Sequence, residues 1–143
     1  MENIRPGQFL SFALGNLSYG ISISSVREIN RVGEITPIPE TPSYIAGVIN
    51  LRGNVIPVLD LRTRLGLVAT PYSRRSCIIV VDSQRGPAGL LVDSIFGVMD
   101  LGAEQIEPKP AIGTDWALGS VIGMGKVEER VLILVEVERI LMN

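Results

Sequence analysis

Few residues in this chain are equipped for chemistry. Its 143 residues include no histidine, which removes the commonest general base, proton shuttle and metal ligand. The single cysteine, Cys77, opens the apolar run Cys77-Ile-Ile-Val-Val81 and reads as core packing in a buried strand, although Arg74 and Arg75 stand nearby. One cysteine allows no intrachain disulfide and fits a reducing compartment. Asp60 and Glu136 each follow an apolar strand, where a helix N-cap belongs. Asp93 interrupts an apolar run, and an Asx-type turn accounts for it. A small hydrolase using Asp93 or Asp60 is the enzyme alternative, and it needs a pocket in which two such groups converge. Serine without histidine cannot build the usual triad, and no Gly-x-Ser-x-Gly occurs. Gly119 to Gly125 matches a dinucleotide fingerprint only by glycine count, without the strand and long helix that make it bind phosphate. No carboxylate cluster suggests a metal. Neither cofactor nor metal is therefore expected, and a binding module is the better reading than an enzyme.

Arg52 is the residue that remains. It stands in Asn50-Leu-Arg-Gly-Asn54, between the apolar stretches Tyr44 to Ile49 and Val55 to Leu59. That arrangement predicts two strands joined by a tight turn, with Asp60 capping a short helix that carries Leu61 and Leu65. A guanidinium at such a tip can donate two hydrogen bonds to a carboxylate or carbonyl of a partner. It can equally make a salt bridge inside the protein, to Glu28 or Glu40. From the residues alone both readings stand.

The rest of the chain supports and duplicates this unit. Phe9 to Leu14 and Tyr19 to Ile23 read as a hairpin about Gly15-Asn16. Val26 to Arg31 follows as a third strand, favoured by β-branching. Pro37, Pro39 and Pro42 make Gly33 to Pro42 a loop. Strands are predicted over Cys77 to Asp82, Ala88 to Val92, Ile95 to Leu101, Trp116 to Met124 and Val131 to Val137. Gly102 to Gly113, with Pro108 and Pro110, reads as loop, Gly125 to Arg130 as a charged turn, and Glu138 to Met142 as a terminal helix. Tyr19 to Ile29 aligns without gaps on Ala88 to Val98, and Ile56 to Leu65 on Leu132 to Leu141. Each half then holds about five short strands, too many to stay flat with both edges open. The expected fold is all-β: two similar five-stranded β-barrel subdomains, approximately residues 8–70 and 76–142 of one domain, packed through an apolar seam, with short helical turns. Exchange of strands between them is left open, and a single β-sandwich is the alternative.

Composition bounds the partners. The chain is 46% hydrophobic and 20% charged with a formal net charge of −2, so it can fill a core and gives no electrostatic case for nucleic acid or an anionic membrane. No apolar stretch approaches the roughly 18–20 residues of a membrane span. The N-terminal residues lack the apolar segment of a signal peptide. The expectation is a soluble, cytoplasmic protein without direct membrane insertion.

Ile45-x-Gly-Val-Ile-Asn-Leu-Arg-Gly53, followed by Ile56-Pro-Val-x-Asp-Leu-Arg62, resembles the most recognisable motif of the CheW family of bacterial chemotaxis coupling proteins. Gly89 to Val98 and Glu129 to Leu141 are similar to that family's later motifs, so the resemblance covers Gln8 to Leu141. It implies SH3-like barrels and a non-catalytic adaptor, recruited to membrane receptor arrays, that couples chemoreceptors to a CheA-type histidine kinase. Family members bind the receptor's helical hairpin tip in the groove between subdomains and bind the kinase's regulatory domain by end-to-end barrel contacts. The length leaves no room for kinase, phosphotransfer or receiver domains. Carried over by motif, the receptor-facing residues are Arg52, Val26 and Glu28, with Ile45, Val48 and Ile49 lining the groove. Asn50, Leu51 and Gly53 shape the hairpin. An adaptor of a related chemosensory pathway, such as pilus-based motility, is the alternative within the family. Glu136 departs from the Asp or Asn common in relatives.

Overall fold

Short runs of β-branched and aliphatic residues broken by glycine-bearing turns carry just over half of the described residues into strands. The computed structural model describes residues 5–68, 71–109 and 119–142. The strands are β1 (Gly7–Leu14), β2 (Leu17–Ser22), β3 (Val26–Arg31), β4 (Ile45–Leu51), β5 (Asn54–Asp60), β6 (Cys77–Val81), β7 (Ala88–Val92), β8 (Ser94–Leu101), β9 (Ile106–Pro108), β10 (Val121–Val127) and β11 (Arg130–Val135). Two one-turn helices, α1 (Leu61–Arg64) and α2 (Val137–Ile140), follow β5 and β11. 3-10 turns fill Ile23–Ser25 and Ala103–Gln105.

The strands form a six-stranded sheet in the order β8-β1-β2-β11-β10-β9 and a five-stranded sheet in the order β3-β6-β7-β5-β4. The two sheets do not follow the two halves of the sequence. The β1–β2 hairpin joins the later strands through a parallel pairing of β2 with β11, and the β6–β7 hairpin joins the earlier ones through a parallel pairing of β7 with β5. These junctions are equivalent in the repeat: Gly20 lies opposite Leu134, and Gly89 opposite Val58. Both glycines sit in close packing. A Cβ on Gly20 would lie 2.8 Å from Leu132 Cδ2, and one on Gly89 would lie 2.7 Å from Ile78 Cγ2.

Alternation along the strands sorts the side chains into three cores. Phe9, Leu101, Leu132 and Leu134 fill the concave side of the six-stranded sheet, joined by Ile106 of β9, so residues at both ends of the sheet meet in one cluster. Val58, Ile78, Val80 and Leu91 fill the five-stranded sheet, joined by Val32 and Ile49 from its two ends. Each sheet is thus curled into a barrel-like unit around its own filling. Between them lies the largest cluster, in which Leu10, Phe12 and Ile21 of one sheet meet Ile79, Val81, Leu90 and Val92 of the other. β6 and β7 are buried on both faces, which is why they read as continuous apolar runs rather than as alternation.

The all-β architecture of two packed small units with short helical turns is as the sequence predicts. Details differ. The six-stranded sheet gains β9 and the preceding 3-10 turn within the segment read as loop from its prolines. Pro108 is tolerated because it ends a three-residue edge strand. The charged turn shortens to Glu128-Glu129, with β10 and β11 running up to it. The part of the predicted 116–124 strand before Gly119 lies outside the described residues. Asp60 caps α1 by accepting from the Arg62 amide at 3.2 Å. Glu136 makes no such cap; its longer side chain accepts instead from Arg139 Nε at 3.2 Å.

Arg64 ties the two helices together. It is 5% exposed, and its Nε donates to the Ile140 carbonyl at 2.7 Å while its Nη2 donates to the Met142 carbonyl. The guanidinium lies 4.8 Å from the centre of the Tyr44 ring. A residue of one repeat therefore satisfies helix-end carbonyls of the other, which the four-residue α2 cannot satisfy itself.

Candidate interaction groove

The β4–β5 hairpin turns on two residues, Arg52 and Gly53, with φ of 51° and 87°. Positive φ at both central positions is the signature of a type I′ turn, whose twist matches that of the flanking strands. Gly53 suits it. Arg52 does not, because a Cβ is strained in the left-handed region and arginine lacks the short polar side chain that eases it for asparagine. Asn50 steadies the turn by accepting from the Gly53 amide at 2.9 Å through its Oδ1. Leu51 packs on the filling of the five-stranded sheet.

Arg52 reaches from this tip to Glu28 on β3 and forms an ion pair with it. Since β3 and β4 are the two ends of the five-stranded sheet, the pair spans the sheet's open side. The guanidinium holds the Glu28 carboxyl below its ordinary range, with help from Asn30, against a smaller opposing effect of desolvation. The internal salt bridge thus exists, with Glu28 as its partner. Arg52 is still 69% exposed by side chain, so the pair is a surface feature open to a third group.

The other predicted contact residues divide. Val26 and Ile45 pack against the core shared by the sheets. Ile49 turns into the filling of its own sheet. Val48 is half-buried and its backbone bridges to Thr36. Glu28 lies opposite Val80, on the side of the sheet's filling, and Ile29 lies opposite Ile79, on the side of the shared core.

That last placement marks residues the sequence reading passed over. β3 and β8 are equivalent in the repeat, and each is the terminal strand of its sheet. Ile29 of β3 aligns with Val98 of β8, and Val98 lies opposite Leu10 of the shared core. Both extend the seam outward past its cover, at 41% and 53% exposure. Phe96, at a strand irregularity on β8, is 52% exposed and lies 5.4 Å from the Arg130 guanidinium. Where the end of β3 approaches the start of β8, Arg31, Arg74, Arg75 and Phe96 line a cleft of 410 Å³. The terminal strands thus flank a groove with exposed apolar edges. The alignment of Ile29 with Val98 was the available signal.

The carboxylates considered for hydrolysis are held in structural bonds. Asp93 is not in the Asx turn expected. It ion-pairs with the buried Arg62 and accepts from the Gly15 amide, tying the β1–β2 turn to the end of β7. Asp60 is engaged in capping α1. Cys77 is half-buried against the shared core, its thiol donating to the Arg75 carbonyl at 3.3 Å. Among the described residues no group of three or more His, Cys, Asp or Glu could hold a metal ion, and no helix is long and apolar enough to cross a membrane.

Comparison with known proteins agrees with this geometry. The family model described as CheW-like domain matches residues 8–143. The chain belongs to the CheW family. It is 40% identical over 134 residues to the chemotaxis protein CheW of Klebsiella aerogenes, covering 94% of this chain and 81% of that relative. It is 36% identical to protein FrzA of Myxococcus xanthus over 84% of this chain and 75% of that one. The crystal structure of the scaffolding protein TtCheW from Thermoanaerobacter tengcongensis superposes with a TM-score of 0.88 at 36% identity, covering 96% of this chain and 94% of that one. The CheW-like architecture and the adaptor class of the family are thus those anticipated from the motif around Arg52.

Proposed function

We propose that this chain is a non-catalytic adaptor coupling chemoreceptors to a CheA-type histidine kinase, and that the receptor's helical hairpin tip docks along the β3–β8 groove beside the Arg52–Glu28 pair. The single observation that carries the site is the strained, solvent-facing Arg52. Turn chemistry alone would choose asparagine or glycine there, as it would at Glu128 on the equivalent tip of the β10–β11 hairpin, so what sets Arg52 apart is its exposed guanidinium held beside Glu28. The guanidinium keeps donors free beside Glu28, and the exposed Ile29 and Val98 offer apolar contact of the kind a helix face fills. The kinase regulatory domain, which shares the barrel fold in this family, meets the barrel ends. Recruitment to receptor arrays follows from these two contacts.

The test is binding of a soluble receptor signalling fragment to wild type and to Arg52→Glu, by calorimetry, with circular dichroism on both proteins. Arg52→Glu places a carboxylate beside Glu28 and removes the donor. It is expected to leave the spectrum unchanged and weaken binding by about tenfold or more. Loss of folding with intact binding per folded molecule would show that Arg52 serves the fold alone. The likeness to FrzA favours a second setting for the same role, a related chemosensory pathway, and isolating the kinase that co-purifies with the chain distinguishes the two.

A further inference from the structure

The charge at the two ends of the groove is unequal. Arg31, at the end of β3, aligns in the repeat with Asp100 on β8, so the pseudo-twofold relation that matches Ile29 to Val98 inverts the charge at the next equivalent pair. Arg31 is joined by Arg74 and Arg75, from the connection leading into β6. No Asp or Glu lines the 410 Å³ cleft or the neighbouring cleft that shares Arg31 and Arg74 with it, where Ser73 and Ser76 add hydroxyl groups. Of the other arginines, Arg27, Arg52, Arg62 and Arg139 each face a carboxylate, and Arg64 and Arg130 are engaged by carbonyls and an aromatic ring. Among the described residues Arg31, Arg74 and Arg75 make no ion pair. Three exposed guanidinium groups around one concavity repel one another and present donors without acceptors, in a chain whose net charge is −2.

We propose that this cleft receives acidic side chains of the helical partner and so fixes the direction in which that helix lies along the groove. The inference rests on the docking reading above. A groove between two equivalent strands with apolar edges alone would accept a helix in either sense. The arginine end accepts carboxylates by paired, charge-assisted hydrogen bonds, while Asp100 at the equivalent place on β8 repels them. Phe96, lying at the same cleft, gives the aliphatic stem of an incoming Glu an apolar surface to cover.

The test measures binding of the soluble receptor signalling fragment, and separately of the kinase regulatory domain, to wild type, to Arg31→Gln/Arg74→Gln and to Arg31→Glu/Arg74→Glu at two salt concentrations. The charge-reversed protein is expected to bind the receptor fragment about tenfold or more weakly and with a flatter salt dependence, the neutral variant falling between, while kinase affinity is unchanged. Replacing the acidic residues at one flank of the receptor tip by lysine should restore binding to the charge-reversed protein. If wild type binds the receptor fragment and all three proteins bind it alike, this inference is overturned and the docking reading stands. If the variants lose kinase affinity instead, the occupant assigned here is wrong. If wild type does not bind the receptor fragment at all, the docking reading falls first.

Discussion

Arg64→Met is predicted to destabilise the protein by about 3 kcal/mol, chiefly by uncoupling α1 from α2. The wild-type guanidinium makes one hydrogen bond of 2.7 Å to the Ile140 carbonyl, a second to Met142, and a contact 4.8 Å from the centre of the Tyr44 ring. A hydrogen bond involving a charged group contributes about 1.5–3 kcal/mol, and a partly desolvated cation–π contact about 0.5–2 kcal/mol. Two effects reduce the sum. Met142 is 54% exposed, so its carbonyl can turn to water, and methionine relieves the desolvation of a charge at a 5% exposed position. The Ile140 carbonyl has no such escape, because Ile140 is 0% exposed. Its orphaned acceptor alone costs about 1–3 kcal/mol, and with the lost ring contact the change comes to about 3 kcal/mol. A domain of this kind has about 5–15 kcal/mol in all, so the variant should fold but melt early. Urea unfolding followed by far-ultraviolet dichroism reads the change as a lower midpoint at constant slope. Arg64→Lys, able to reach one carbonyl at a time, should fall between. An Arg64→Met protein within about 0.5 kcal/mol of wild type, the ordinary range for a surface substitution, would refute the clamp.

Two further outcomes are expected. Gly89→Ala should cost about 1–3 kcal/mol and Gly20→Ala less. A Cβ at Gly89 meets the γ-methyls of Ile78 and Val58, fixed close to their backbones, whereas one at Gly20 meets the mobile end of Leu132. Equal midpoints in urea would contradict the packing of the two junctions. The Glu28 carboxyl, followed by carbon NMR, should titrate below its ordinary value of 4.5 in wild type and move up toward it in Arg52→Asn. Because the folded-state value is depressed, the pair's contribution is present above the unfolded-state value and lost as pH falls through the folded one. A midpoint at or above 4.5 in wild type would mean that the ion pair does not form in solution.

Much of the fold is written locally in the sequence. The hairpin about Arg52 is legible because Asn50, Gly53 and two apolar runs leave one way to turn. The duplication is legible because Gly20 and Gly89 are held in equivalent, tightly packed places. What pairs with what is not local. The alignment makes the β1–β2 and β6–β7 hairpins equivalent without saying which half each joins, and that is decided by packing against Leu134 and Val58. β9 was hidden by Pro108, which breaks a central strand but not the end of an edge. Asp60 and Glu136 look interchangeable until side-chain length is considered: one reaches the second helical amide and the other reaches an arginine. At the groove, the Arg52 turn could be read, whereas Arg31 meets Arg74 and Arg75 only through the fold.

In the proposed role one small protein holds a receptor and a kinase at once. Its most direct test is reconstitution of this chain with a cognate receptor signalling fragment and a CheA-type kinase, measuring ternary assembly by gel filtration and kinase autophosphorylation in the same mixtures. A complex containing all three proteins and a rise in autophosphorylation that requires this chain are expected. Kinase activity indifferent to the chain, with no ternary species formed, would contradict it.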